Sequence, residues 1–215
     1  MIKRVQKEGY VGDDVSIGGI CGEVTGNAAI YNCANKGDVT SEINDTRITE
    51  NIGGITGYCS VSFYEGEFPS LPADMGIFNC YNSGEISSSY NSDLKYIGGI
   101  VGKGEVYTST ELSLVNTIRV TNTVNNDDTT YAFGNITLGD SSTYFEIKDN
   151  FFKKGGSSPK YPSYESTFSG AISVFNSVVK TLNEYSIKSN GEYLQWRGDQ
   201  SGSGDIIFSK EITGN

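Results

Sequence analysis

Apolar residues follow a ten-residue pattern that recurs along the chain. The pattern has an apolar residue at position 1, another at position 4, glycine at position 8 and an aliphatic residue at position 10, and its best copies are Ile30–Val39 and Ile77–Ile86. The start of the chain fits the same register through Ile2, Val5, Gly9 and Val11. Two weaker copies follow, one with Val115, Ile118, Asn122 and Val124, the other aligning Asn150-Phe151 with Asn32-Cys33 and Gly155 with Gly37.

A second element, Ile-Gly-Gly-Ile-x-Gly, lies between these copies at residues 17–22, 52–57 and 97–102, with Phe133-Gly-Asn-Ile136 as a degraded version. The steps from Gly18 to Gly53, Gly98 and Gly134 are 35, 45 and 36 residues. A unit of this length cannot bury its own apolar face, so it must stack on its neighbours. The pattern therefore predicts an all-β protein built as a β-solenoid, and the right-handed crossover is the default for parallel strands. The paired glycines predict corners or close approaches of the backbone.

Stacked units place equivalent residues above one another in parallel register. We therefore expect Ile20, Ile55, Ile100 and Ile136 to form one interior column, and Val5, Cys33, Cys80 and Ile118 to form another. Because cysteine packs as a small hydrophobe when buried, the four cysteines are expected to be free thiols.

The period changes towards the C-terminus, which predicts two regions. Residues 1–155 are expected to form a β-solenoid of about four irregular repeats, and residues 156–215 a capping segment. Apolar residues at three- and four-residue spacing predict a helix over about 167–185. A β-hairpin is expected to follow, with Trp196 covering the last repeat.

The Ile-Gly-Gly-Ile-x-Gly element, followed by Asn-Cys-x-Asn-x-Gly-x-Val, resembles the GLUG repeat of Gram-positive bacterial surface proteins. The resemblance covers roughly residues 1–155. It implies a non-catalytic adhesion or interaction module, extracellular and at the cell surface, within a larger secreted protein.

Composition narrows the function further. The chain has 27 Gly, 14 Tyr and a formal charge of -10, and an acidic protein repels nucleic acid, so we expect no nucleic-acid partner. The chain contains no histidine, which argues against Ser-His and Cys-His catalysis. No apolar stretch predicts membrane insertion. We therefore expect no catalytic residues and no cofactor, and the sequence leaves the oligomeric state open.

Aromatic residues in loops are the main candidates for binding, because their faces stack on sugars or anchor protein contacts. The predicted partner is a host or cell-wall glycan, or a surface protein. The candidate binding residues are Tyr58, Phe63, Tyr64, Phe68, Tyr161 and Tyr164. Carboxylates of Asp13, Asp14, Asp127 and Asp128 are candidate Ca²⁺ ligands, although solvated turns are the simpler interpretation and no metal site is predicted.

Two alternative functions stay open at this stage. A purely structural spacer or stalk would bind no specific ligand. A carbohydrate-active β-helix enzyme would need clustered carboxylates or a basic residue over a groove.

Overall fold

The computed structural model describes residues 2–4, 14–26, 28–43, 45, 47–61, 76–89, 94–106, 118–121, 123–125, 132–137, 145–148, 150–153, 165–168, 179–184, 194–198 and 206–208. Regular structure in these ranges consists of strands of two to six residues and a helical stretch over 179–184. The chain is therefore mostly β, as the sequence predicts.

Five sheets, here called A to E, each take one strand from successive passes of the chain. Sheet A contains β1 (Ile2–Arg4), β6 (Val39–Ser41) and β11 (Ile86–Ser88). Sheet B contains β2 (Val15–Gly18), β7 (Glu50–Gly53) and β12 (Lys95–Gly98). Sheet C contains β3 (Cys21–Thr25), β8 (Thr56–Val61), β13 (Val101–Val106) and β16 (Phe133–Thr137).

Sheet D contains β4 (Ala29–Tyr31), β9 (Gly76–Phe78), β14 (Ile118–Thr121) and β17 (Phe145–Lys148). Sheet E contains β5 (Ala34–Asn35), β10 (Tyr81–Asn82), β15 (Val124–Asn125), β18 (Asn150–Lys153) and β19 (Glu165–Phe168). Strand pairing within sheets A to E is parallel, whereas β20 (Trp196–Gly198) and β21 (Ile206–Phe208) pair antiparallel as the predicted hairpin.

Like residues stack on like across the parallel sheets. Ile52 pairs with both Ile17 and Ile97, and Ile30 pairs with Ile77. The predicted column of Ile20, Ile55 and Ile100 is present, since the Ile20 amide donates to the Ile55 carbonyl and the Ile55 amide donates to the Ile100 carbonyl. Ile20 lies in the turn between β2 and β3 and is 42% exposed, so its predicted place in the interior is wrong.

The fourth member of that column is Ala132 and not Ile136. The Ile100 amide donates to the Ala132 carbonyl, and Phe133 pairs with Val101. Gly134 therefore matches Gly102 of the Ile-Gly-Gly-Ile-x-Gly element, while Ile136 pairs with Gly104. The prediction placed Phe133 at the first position of the element, whereas it occupies the fifth. A single Gly after an apolar residue fits both positions.

Three predicted copies of the ten-residue pattern are out of register. Ile2 pairs with Val39 and so occupies position 10 of the pattern and not position 1, the register on which Val5 was aligned with Cys33 and Cys80. Val120 pairs with Ile77, so the fourth copy begins at Val120, and Thr123 replaces Ile118 beside Cys80. Val5, Gly9, Val11, Val115, Asn122 and Gly155 lie outside the described residues.

The fifth copy is shifted by one residue. Ile147 pairs with Val120 and Phe151 pairs with Val124, so Phe151 matches Tyr81 and not Cys80. This register restores an apolar first residue, Ile147, where the predicted alignment had Lys148. The three misplaced copies share one cause: aliphatic residues recur at spacings that satisfy several registers.

The glycines bring sheets B and C into direct backbone contact. A Cβ atom on Gly57 would lie 2.5 Å from the Ile17 amide nitrogen and 2.5 Å from the Asn51 carbonyl oxygen. A Cβ on Gly54 would collide with the Gly99 carbonyl oxygen and the Asn82 side chain. The predicted role of the glycines as points of close approach is confirmed.

Two apolar cores lie on either side of this glycine contact. The first lies between sheets C and D and contains Val24, Ile55, Cys59, Ile77, Cys80, Ile100, Val101, Val120, Ala132 and Phe133. The second lies between sheets A and B and contains Val15, Ile17, Val39, Ile43, Ile48, Ile52 and Ile86. The Ile-Gly-Gly-Ile-x-Gly elements thus supply Ile55 and Ile100 to the first core and Ile17 and Ile52 to the second, against which Ile97 packs.

A column of buried asparagines closes the corner beside sheet E. The Asn35 Nδ2 donates to Asn82 Oδ1 at 2.8 Å, and Asn82 Nδ2 donates to Asn125 Oδ1 at 3.0 Å. Nδ2 of Asn35 and of Asn82 also donates to the carbonyl of the glycine two residues on, Gly37 or Gly84. Each of these asparagine side chains therefore hydrogen-bonds within its own turn and also to the asparagine of the next pass.

The C-terminal region differs from its prediction at two points. Residues 165–168 form β19 and pair with β18, so Thr167 and Phe168, predicted to start a helix, are in a strand. The helical residues that the structure describes are 179–184. The backbone groups of residues 165–168 make hydrogen bonds to β18 in place of those of a helix, so the apolar spacing alone did not decide the structure.

Trp196 packs against the side of sheet E and not over the last repeat. It is buried with Tyr81, Val124 and Leu182, and its ring centroid lies 4.5 Å from that of Phe208. Its Nε1 donates to Asn79 Oδ1 at 2.5 Å. Asn79 has φ of 52°, a left-handed conformation that asparagine tolerates better than most residues, and this orients its side chain towards the hairpin.

Replacing Trp196 with phenylalanine should lower the free energy of unfolding by about 1–2 kcal/mol, because the buried Asn79 Oδ1 loses its indole donor. Urea unfolding of wild type, Trp196→Phe, Asn79→Ala and the double variant forms a thermodynamic cycle. We expect a coupling of about 1 kcal/mol between the two positions. Additive losses would show that the hydrogen bond contributes nothing to stability.

Candidate ligand-binding surface

Two columns of residues outside the apolar cores meet where sheets B and C join. In sheet B, Asn51 pairs with Ser16 on one side and Tyr96 on the other. In sheet C, the equivalent column is Glu23, Tyr58 and Lys103. The Gly-Gly turn brings the columns side by side, since Ser16 Oγ donates to Glu23 Oε1 at 3.1 Å.

Lys103 is the centre of this surface, which we call the Lys103 patch and define as Tyr58, Tyr96, Lys103 and Glu105. Its Nζ lies 5.4 Å from the Tyr96 ring centroid and 5.8 Å from that of Tyr58. The same Nζ lies 2.8 Å from Glu105 Oε1. Tyr58 donates its hydroxyl hydrogen to Glu105 Oε2 at 2.8 Å, so one carboxylate holds both the lysine and the tyrosine.

The electrostatics keep Lys103 charged. Burial lowers the pKa of Lys103, but the hydrogen bond and charge of Glu105, together with the charge of Asp14, outweigh burial and raise the pKa overall. Lys103 therefore remains a cation between two half-buried tyrosine rings. Cations at this distance from aromatic faces are attracted by the ring quadrupole.

Asn51 lies beside the patch in sheet B, where it pairs with Tyr96. Its side chain is almost fully buried, at 1% exposure, and its Oδ1 has no hydrogen-bond partner among the residues that the structure describes. A buried amide oxygen without a donor is costly, and such atoms in native proteins call for a specific explanation. Tyr96 and Ser16, its neighbours in register, are both half-buried.

Of the predicted binding residues, Tyr58 is part of the Lys103 patch. Phe63, Tyr64, Phe68, Tyr161 and Tyr164 lie outside the described residues, as do Asp13, Asp127 and Asp128. Asp14 is exposed, at the start of β2. Within the described ranges, no three His, Cys, Asp or Glu side chains come together as a metal-binding group.

Sequence reasoning missed Tyr96, Lys103 and Glu105. The available signal was the residue after the final glycine of each Ile-Gly-Gly-Ile-x-Gly element, which is Glu23, Tyr58 or Lys103 in successive copies. Three chemically different side chains at an equivalent position indicate an outward-facing site that the apolar core does not constrain. Such variation contrasts with the identical isoleucines of the interior.

A comparison of the chain with protein-family models, curated proteins and solved structures finds no significant match. Among the described residues, no helix combines the length and the apolar character needed to cross a membrane.

Proposed function

We propose that this chain is a β-solenoid that acts as a non-catalytic interaction module at a bacterial cell surface and binds glycans through the Lys103 patch. The observation that carries the proposal is the grouping of Tyr58, Tyr96, Lys103 and Glu105 on adjacent columns. Extracellular location and the GLUG-type repeat are part of the proposal and rest on the sequence motifs.

The solenoid is supported by the register of the sheets. Five sheets each receive strands from successive passes, and partners in sheet B are 35 and then 45 residues apart along the chain. A chain that winds round a common axis produces this order, because each pass adds one strand to every sheet. The small hairpin of β20 and β21 then covers one side of the coil at Trp196.

A glycan suits the patch for two chemical reasons. Tyrosine rings offer faces for the C–H surface of a sugar, and charged and amide groups beside them bind hydroxyls. With a chain charge of -10, neutral sugars should be preferred to acidic ones.

The proposed function is non-catalytic, because the carboxylate of the patch, Glu105, is bound to Lys103 and to Tyr58. Glycoside hydrolysis uses two carboxyl groups that flank the bond to be cleaved. Within the Lys103 patch, Glu105 contacts the Lys103 ammonium and the Tyr58 hydroxyl, and the patch contains no second carboxylate.

A glycan array with purified protein, with and without Ca²⁺, tests the proposal. We expect binding to neutral glycans that Tyr96→Ala weakens at least tenfold, about 1.4 kcal/mol, because the variant removes one of the two rings. Thermal unfolding of each variant shows whether the fold is retained. The matched control is Tyr31→Ala, which removes a tyrosine that stacks on Phe78 in sheet D and should leave binding unchanged.

Deletion of residues 62–74 distinguishes the patch from Phe63, Tyr64 and Phe68, the aromatic residues that the sequence predicts to lie in a binding loop. Binding that survives this deletion and fails in Tyr96→Ala supports the patch. Binding that fails only on deletion would move the site to the loop. A protein that binds no glycan or surface protein would be a spacer, the second function compatible with a stack of repeats.

A further inference from the structure

The four cysteines are free thiols that meet in the core between sheets C and D. Cys33 and Cys80 occupy the same position in successive passes, since Tyr31 pairs with Phe78 before them and Ala34 pairs with Tyr81 after them. Each thiol donates to the carbonyl of the residue two before it, Tyr31 or Phe78, at 3.2 Å. The two side chains therefore have matching local conformations on adjacent strands.

The two thiols also differ in burial and in reactivity. The Cys80 side chain can donate a hydrogen bond to the ionised Cys33 sulfur, which lowers the pKa of Cys33 to about 7, although burial opposes it. Burial raises the pKa of Cys80 well above its ordinary value. Cys33 is half-buried and reachable from solvent, whereas Cys80 is fully buried. At neutral pH a substantial fraction of the accessible Cys33 is thus a nucleophilic thiolate, whereas Cys80 is protonated.

We propose that Cys33 and Cys80 form a reversible disulfide that joins successive passes of the chain when the protein meets a low-molecular-weight disulfide. Adjacent strands are about 4.8 Å apart, and disulfides span Cα separations of about 4.4–6.8 Å. Side chains on neighbouring parallel strands point the same way, so their Cβ atoms lie about one strand spacing apart and must move closer before a disulfide can form. The resulting bond is strained, and strained disulfides are readily reduced.

The reaction is a two-step exchange. The Cys33 thiolate attacks one sulfur of glutathione disulfide, forming a mixed disulfide and releasing one glutathione thiolate. Cys80 then loses its proton and attacks the Cys33 sulfur, forming the internal bond and releasing the second glutathione. Two electrons pass from the cysteine pair to the oxidant, which is reduced to two thiols, and an excess of dithiol reverses both steps.

Cys21 and Cys59 provide an internal comparison. Cys59 pairs with Val24, and Cys21 pairs with Thr56, so this pair is offset along the strands. Burial raises the pKa of Cys59 to about 12, and it raises the pKa of Cys80 as well, so the offset along the strands and not the pKa distinguishes the two pairs. The disulfide should therefore form between Cys33 and Cys80 and not between these two.

The test incubates the reduced protein with glutathione disulfide, blocks remaining thiols under acid conditions and maps non-reduced peptides by mass spectrometry. We expect a Cys33–Cys80 cross-link in the wild type and in Cys21→Ser, and none in Cys33→Ser. The oxidised protein should melt about 5 °C or more above the reduced protein, and dithiothreitol should reverse the shift.

Three results would each overturn the proposal: a stable glutathione adduct on Cys33 without transfer to Cys80, a Cys21–Cys59 bond, or four free thiols after oxidation. The wild-type peptide map decides the matter even if Cys33→Ser does not fold.

Discussion

Replacing Gly54 with alanine should lower the free energy of unfolding by about 3 kcal/mol or more, or prevent folding altogether. The added methyl group would collide with the Gly99 carbonyl oxygen in the next pass and with the Asn82 side chain. Neither group can move easily. The Gly54 amide already donates to the Gly98 carbonyl, and Asn82 is held in the buried asparagine column.

Gly26 is the matched control for this substitution. No atom lies within 4 Å of a Cβ built on Gly26, and its φ of +67° makes backbone strain the main cost. Gly26→Ala should therefore lose about 1–2 kcal/mol. Urea unfolding followed by far-UV circular dichroism measures both variants. Equal losses would show that close packing between passes is not what requires glycine at position 54.

Replacing Asn82 with alanine should cost about 3 kcal/mol, because one side chain makes three buried hydrogen bonds. Asn82 accepts from Asn35 Nδ2 at 2.8 Å and donates to Asn125 Oδ1 and to the Gly84 carbonyl at 3.0 Å. Its removal leaves the buried amide oxygen of Asn125 and the Gly84 carbonyl without this donor. Hydrogen bonds in a chain also polarise one another, which adds to the loss.

Asn35→Ala tests whether position in the column matters. Asn35 lies in β5, the edge strand of sheet E, and bonds to one asparagine and not two. Its loss should be about half that of Asn82→Ala, measured by the same urea unfolding. Identical losses would mean that each amide stabilises only its own turn, through Gly37 or Gly84.

Sequence patterns predicted the features that depend on local chemistry. Paired glycines predicted close backbone approach, and the two strongest repeats predicted that Ile30 would stack on Ile77. The weak copies were misplaced because an aliphatic residue such as Val115 or Val120 fits either face of a strand. Only long-range pairing distinguishes these registers.

The buried polar elements were harder to predict. Asn35 and Asn82 stand at the same position of both best repeats, yet asparagine in a glycine-rich segment is typical of an exposed turn. For the candidate surface, the sequence indicated Tyr58 alone. Tyr96 and Lys103 lie about 40 residues further along the chain. Strand pairing within sheet C brings Lys103 beside Tyr58, and the contact between sheets B and C brings Tyr96 to Lys103.

The register of the sheets does not depend on the length of chain between paired residues. Ile17 and Ile52 are 35 residues apart, whereas Ile30 and Ile77 are 47 apart, and both pairs align in parallel. The difference is contained in the connection between β8 and β9. Doubling the length of a loop costs in general only about 0.6 kcal/mol, so this position should accept foreign sequence. The protein is in this respect a ready scaffold for displaying grafted peptides.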